Sequence, residues 1–126
     1  MSHKIISTDK APAAVGPYSQ GCAAGNILFI SGQIPINPGT GEMITDDIAA
    51  ATRQCMDNLF AVLNAASADA HFVKITIFLT DMSDFGRVNE VYASYFDDNP
   101  PARACVEVSR LPKNAQIEIE GIAILS

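Results

Sequence analysis

Residues 100–125 read PPARACVEVSRLPKNAQIEIEGIAIL, two apolar stretches with charges set into them. Strand residues that alternate with Val and Ile ordinarily enter a core, and cores reject unpaired charge. Period-two geometry puts Arg103, Cys105 and Glu107 on one face of the first strand, opposite Ala104, Val106 and Val108. It puts Glu118 and Glu120 on one face of the second, opposite Ile117 and Ile119. If the turn LPKN at 111–114 closes a regular antiparallel hairpin, residue 105 lies opposite 120 and residue 107 opposite 118. Arg103, Cys105, Glu107, Glu118 and Glu120 then line one face together with Ile122 and Ile124, while the Val/Ile set packs beneath helices. A bulge would shift that register.

The upstream stretches supply the rest of a sheet. KII at 4–6 is a short opening strand, and APAAVGP at 11–17 is a loop punctuated by Pro and Gly. YSQGCAAGNILFISGQI predicts a hairpin turning at Gly25-Asn26, with Leu28 and Ile30 alternating with Phe29 and Ser31. NPGTGE is a second turn. From Asp46 the period becomes helical: Ile48, Cys55, Leu59, Val62, Leu63 and Ala66 form one face, and Arg53, Asp57, Asn58 and Asn64 the other. FVKITIFLT alternates again, with Val73, Ile75, Ile77 and Leu79 on one face and Lys74, Thr76, Phe78 and Thr80 on the other. A second helix follows Ser83-Asp84, with Phe85, Val88, Tyr92, Tyr95 and Phe96 as its apolar stripe.

The order β-β-β-α-β-α-β-β predicts an α+β sandwich, a mixed sheet with two helices on one face. No further helix is left to cover the other face, so that face meets either solvent or another copy of the chain. A solvated polar face with cross-strand ion pairs is one reading, and such pairs contribute little each. A face that mixes Ile, Cys, one guanidinium and several carboxylates also suits a subunit interface holding a small pocket. Arginine's planar fork matches a substrate carboxylate.

Composition narrows the function. The chain has 126 residues, 48% hydrophobic and 17% charged, which fits one globular domain spanning 1–126. No apolar run approaches the roughly 20 residues of a bilayer span, and MSHKIISTDK has no signal-peptide core, so a cytoplasmic protein with no membrane partner is the expectation. Fourteen acidic against eight basic side chains give a net charge of −6, a surface that repels nucleic acid. Cys22, Cys55 and Cys105 are widely spaced, and with His3 and His71 they form no metal-ligand spacing. Cys22 and Cys55 read as packing residues and His71 as a loop residue. GNILFISGQ lacks the Gly-Lys-Ser/Thr ending of a phosphate loop.

Five blocks, in order, resemble the RidA/YjgF family: APAAVGPYSQG, ISGQIPINPGTGE, VKITIFLTDMSDFGRVNEVYASYF, PPARACVEVSRLPK and IEIEGIAI. The resemblance implies a chorismate-mutase-like fold assembled as a homotrimer around a central β-barrel, with active sites in the clefts between subunits. It implies hydrolysis of 2-imino and enamine acids, such as 2-iminopropanoate and 2-iminobutanoate, to 2-oxo acids and ammonia, without a cofactor. On this resemblance Arg103 grips the substrate carboxylate, and Glu118 holds or activates the attacking water. Cys105 is a pocket cysteine whose main chain helps to place that water or the amino group, and Tyr18, Ser31, Gly32 and Asn89 line the cleft. Glu120 shares the parity of Glu118 and is assigned an interface role. Two features depart from the pattern: Pro100 stands where an aromatic precedes Pro-Ala-Arg, and AASADAHF lacks the glycine that ends the first helix. The rival reading is a non-catalytic trimer, chaperone-like or regulatory, that binds small carboxylates.

Overall fold

The computed structural model describes residues 2–126. Strand β1 is Lys4–Ile6, β2 Gly21–Ala24 and β3 Ile27–Gln33. Helix α1 spans Ile48–Ala66, β4 His71–Leu79, α2 Phe85–Ala93, β5 Ala102–Glu107 and β6 Ile117–Ile124. The element order is the expected one, and the fold is mixed α+β with a six-stranded sheet. The sheet order is β1-β2-β3-β6-β4-β5, antiparallel throughout except for the parallel pair β4/β5.

Local chemistry explains most elements. Gly25, with φ of +62°, takes the first position of the two-residue turn between β2 and β3. The Asn37 side-chain oxygen accepts from the amides of Gly39 (2.8 Å) and Thr40 (3.3 Å), which tightens the NPGTGE turn. Asp47 caps α1 by accepting from the Ala49 and Ala50 amides at 3.0 and 3.1 Å. The helix ends at Ser67 in extended conformation, φ −168°, so no left-handed residue and no glycine is required there.

Helix α1 lies across β3 and β6, and α2 lies against α1. Leu28, Met56, Leu59, Val62, Ile75, Ile77, Val88, Ile117 and Ile119 are all completely buried between sheet and helices. Tyr95 and Phe96 fall beyond the end of α2, yet both rings pack on Phe60, 5.8 and 5.9 Å between centroids.

Three expectations are corrected. LPKN does not close a hairpin. The chain leaves β5, passes a 3-10 turn at Pro112–Asn114 with Lys113 and Asn114 at positive φ, and enters β6 on the far side of β4. Asn58 does not face solvent: it is buried, donating to the carbonyl oxygens of Ile34 (3.3 Å) and Ile36 (3.0 Å). Val73 does not share the inner face of β4. A bulge between Phe72 and Lys74 turns Phe72 inward and leaves Val73 36% exposed.

The inward Phe72 depends on a missing side chain. A Cβ on Gly121 would stand 2.6 Å from Phe72 Cε1 and 3.2 Å from Ile75 Cδ1, well inside contact distance. Gly121→Ala is therefore expected to lower stability by about 1–3 kcal/mol, the usual cost of overpacking. Denaturant unfolding at fixed protein concentration measures this, and adding Phe72→Val should recover part of the loss. Equal stability of wild type and Gly121→Ala would show that the ring yields freely.

Candidate active site: two half-sites on opposite faces

Register decides where each charged residue points. Arg103, Cys105 and Glu107 pair with Ile75, Ile77 and Leu79, the fully buried positions of β4, and so stand on the helix side of the sheet. Glu118 and Glu120 pair with Phe78 and Thr76, on the open side. The expected single face carrying all five residues is thus corrected: β4 lies between the two strands, and its alternation separates them. Ile122 and Ile124 share the face of the glutamates, not that of Cys105.

On the open side, Glu118 and Glu120 line a cleft of about 550 Å³. Its walls include Pro12, Ala13, Val15, Tyr18, Ser31 and Gly32, with Lys113 at one edge. Of the sequence candidates, Tyr18, Ser31, Gly32 and Glu118 come together here. Ser31 and Gly32 are not a strand end. They form a bulge inside β3, two residues facing one on β6, between the pairs Ile30/Gly121 and Gln33/Ile119. The bulge brings Gly32 under the Glu118 carboxyl group. A Cβ at residue 32 would collide with Glu118 Oε2 and stand 2.8 Å from its Cδ, so glycine is what admits the carboxylate. Ser31 Oγ donates to the Ser19 carbonyl at 2.6 Å, which fixes the hydroxyl proton and leaves the oxygen as an acceptor. The Glu118 carboxyl is held above the usual carboxylate range, first by burial and second by the charge of Glu120.

On the helix side, Arg103 borders a recess of about 470 Å³ with Asn89, Tyr92, Phe96, Pro100 and Pro101. Its guanidinium carbon sits 4.9 Å from the Tyr92 ring centre and 5.4 Å from that of Phe85. Nη1 donates to Asn89 Oδ1 at 2.6 Å. Two aromatic faces and one amide hold the fork in place, and its remaining donors are available to an anion. Pro100 lies on this recess, so its substitution for an aromatic bears on the arginine half.

Cys105 lines neither cleft. Burial pushes its thiol up and Arg103 only partly offsets this, so at neutral pH it is a thiol and a poor nucleophile. Glu107 is structural. Its Oε1 accepts from the Met82 amide at 2.8 Å and anchors the turn that leads into α2. Cys55 is fully buried in the core, as expected for a packing residue, whereas Cys22 is half-buried on the open face beside Phe29. His71 is an exposed first residue of β4.

Two residues that shape the cleft are not among the sequence candidates. Gln20 is buried. It accepts from the Thr8 amide at 2.7 Å and donates to the carbonyl oxygens of Thr8, Ala11 and Pro12 at 3.0, 3.3 and 2.7 Å. It thereby ties down the loop that forms one wall. Asn58, through Ile34 and Ile36, fixes another part of the lining. The inward position of Asn58 has a sequence signal, since it stands three residues after Cys55 and four before Val62. Gln20 has none, because its partners lie in an irregular loop.

A family profile described as endoribonuclease L-PSP matches residues 8–125, and the chain belongs to that family. The RidA/YjgF resemblance is thereby confirmed. A RutC family protein of Pyrococcus horikoshii is 54% identical over 121 residues, covering 95% of this chain and 96% of that one. The 2-iminobutanoate/2-iminopropanoate deaminase of Escherichia coli is 50% identical over 125 residues, covering 96% and 97%. The crystal structure of E. coli TdcF with bound serine superimposes with a TM-score of 0.91 at 45% identity, covering 98% and 99%. Among the described residues no helix is long and apolar enough to cross a membrane.

The role of Gln20 is directly measurable. Gln20→Ala removes the acceptor of the Thr8 amide and the donor to three carbonyls. Hydrogen exchange at Thr8 should accelerate, and stability should fall by about 1–3 kcal/mol. Unchanged Thr8 exchange would mean the loop is held by other contacts.

Proposed function

We propose that this member of the endoribonuclease L-PSP family hydrolyses small 2-imino acids to 2-oxo acids and ammonia, in sites completed between copies of the chain. The observation that carries the reading is the pair of half-sites. One presents a guanidinium held flat with donors to spare, the other a desolvated carboxylate over a glycine. A 2-imino acid needs one of each: a fork for its carboxylate, and an acid–base group beside its C=N carbon. The likeness to a deaminase over nearly the whole chain supports the same chemistry.

The two halves occupy opposite faces of one sheet, so one chain does not close a site by itself. The open face supplies a reason for assembly. Ile5 (51% exposed), Phe29 (47%), Ile27 (42%) and Val106 (41%) stand on it, apolar side chains that no helix covers. A homotrimer packed through these faces around a central barrel would cover that surface and carry Arg103 of one copy to the Glu118 cleft of the next.

In the resulting site Arg103 takes the substrate carboxylate bidentately and fixes the imine carbon over Glu118. A water loses a proton to Glu118 as its oxygen bonds to the imine carbon, and the C=N π pair moves to nitrogen. The carbinolamine then takes that proton back on nitrogen. The C–N bond breaks with its pair going to ammonia, and the hydroxyl oxygen forms C=O while its proton leaves with the ammonia as ammonium. Glu118 is regenerated as carboxylate, and its charge also stabilises the cationic iminium. Tyr18, Ser31 and Gly32 line the pocket and Asn89 orients the arginine, while Cys105 takes no covalent part. The reaction needs no cofactor. With a net charge of −6 and two carboxylates in the cleft, a phosphodiester is a poor substrate by comparison.

Ammonia and 2-oxobutanoate release from freshly generated 2-iminobutanoate tests this. Arg103→Ala and Glu118→Ala should each lose about 10²- to 10³-fold in rate, the scale of removing one preorganised electrostatic group. Light scattering should show the same trimer for both variants. Because the halves come from different copies, mixing unfolded Arg103→Ala and Glu118→Ala chains and refolding them together should restore part of the activity. A wild type that releases no ammonia above background would turn the reading toward a carboxylate-binding module. Active single variants with no gain on mixing would refute the shared site.

A further inference from the structure

Glu120 follows Glu118 by two positions on the same face of β6, and both line the same cleft. An interface role alone does not explain a second carboxylate at that place, because like charges so close are unfavourable unless the pair does something. Accepting the deaminase reading, we propose that Glu118 and Glu120 form one acid–base unit. In it Glu120 is a positioning residue, whose charge makes Glu118 a strong enough base to take a proton from water and hold it until the departing nitrogen receives it.

The surroundings fit this assignment. Glu118 is half-buried over Gly32, with Phe78 as its neighbour on β4, so it is the desolvated member. Glu120 is exposed and opposite Thr76, so it is the more solvated member. The other charged or titratable groups facing the pair are Lys74 on β4, diagonal to Glu120, Lys113 and Tyr18 in the same cleft, and His3 and Cys22, which share a neighbouring recess with Glu120. From beneath, the Cys55 thiol of α1 is held neutral by burial, and the charge of Glu118 adds to that effect. In the proposed assembly Arg103 of a second copy joins them. Among the described residues of one chain no cation forms an ion pair with either glutamate. Arg103 of a second copy would lower the Glu118 titration, but it leaves the sign of the Glu120 contribution unchanged.

The sign is fixed by the charges. The reaction needs Glu118 as carboxylate, so the rate falls as pH drops through its titration, which burial and Glu120 place above the ordinary carboxylate range. Glu120→Gln keeps the shape and removes the charge. The acidic limb of the rate profile should then move to lower pH, and the rate at neutral pH should fall about 2- to 10-fold because a weaker base takes the proton less readily. Glu120→Asp keeps the charge and should hold the limb near that of wild type.

The deciding experiment is the pH profile of 2-iminobutanoate deamination for wild type, Glu120→Gln and Glu120→Asp. A carbon-13 NMR titration of the Glu118 carboxyl without substrate accompanies it. The expected result is a downward shift of both limb and NMR midpoint in Glu120→Gln, but not in Glu120→Asp. An active Glu120→Gln enzyme with an unmoved limb and midpoint overturns this inference and leaves the deaminase reading intact. A wild type inactive at every pH overturns both.

Discussion

Strand β4 is paired along both edges, antiparallel to β6 and parallel to β5, and this double pairing sets the face of every charged residue in the two strands beside it. Its inner positions Ile75, Ile77 and Leu79 are completely buried. A slip of one residue on the β6 side would therefore expose Ile117 and Ile119 and bury Glu118 and Glu120. That register sends Glu118 to the open side, while the parallel pairing of β5 with β4 sends Arg103 to the helix side. The division into halves follows from these two pairings of one strand.

Around that frame, two bulges tune what each face presents. In β4 the bulge at Val73 turns Phe72 into the core, where its ring meets Phe60 edge-on at 5.1 Å, and Gly121 leaves the space for it. In β3 the bulge at Ser31-Gly32 opens the sheet beside Glu118. Each bulge is matched by a glycine whose absent side chain makes room for a larger neighbour. Gln20 and Asn58 then fasten the irregular segments beside the cleft with hydrogen bonds made within the protein. A pocket tied down in this way loses little entropy when a small ligand enters, which suits a substrate of few atoms.

The order and type of the elements are legible in the sequence because hydrophobic period is a local property. Leu28 and Ile30 against Phe29, and Cys55 with Leu59 and Val62, state their structure within a few residues. Strand neighbours are not legible in the same way. Pro112-Lys113-Asn114 has the chemistry of a tight turn, and it does turn, with two consecutive left-handed residues. Yet β6 enters beside β4, because burying Ile117 and Ile119 against α1 requires a central position that the short edge strand β5 cannot offer. That outcome depends on the whole core, so alternation singles out the five charged residues but cannot say that β4 divides them. Asn58 misleads for the opposite reason: its polarity points outward while its helical spacing points inward, and the spacing prevails. Membership of the family is legible from five ordered blocks, whereas the supporting amides are not, since their partners are backbone carbonyls of loops.

The separation of Arg103 from Glu118 has an electrostatic advantage within the proposed function. A guanidinium and a carboxylate on one face, close enough to share a substrate of a few atoms, would pair with each other first. Breaking such a pair to admit substrate would cost the same Coulomb and hydrogen-bond energy that binding regains. On opposite faces neither is neutralised by the other. Arg103 rests on Tyr92, Phe85 and Asn89, all uncharged partners that orient it without consuming its charge. Glu118 rests over Gly32 with Glu120 beside it, an environment that leaves its carboxylate without a cationic partner of its own chain and raises its basicity. In the proposed assembly, the substrate carboxylate and the iminium each find an oppositely charged partner already in place. In an acidic chain, an arginine left unpaired by the chain's own carboxylates keeps its full charge for the anion it is proposed to hold.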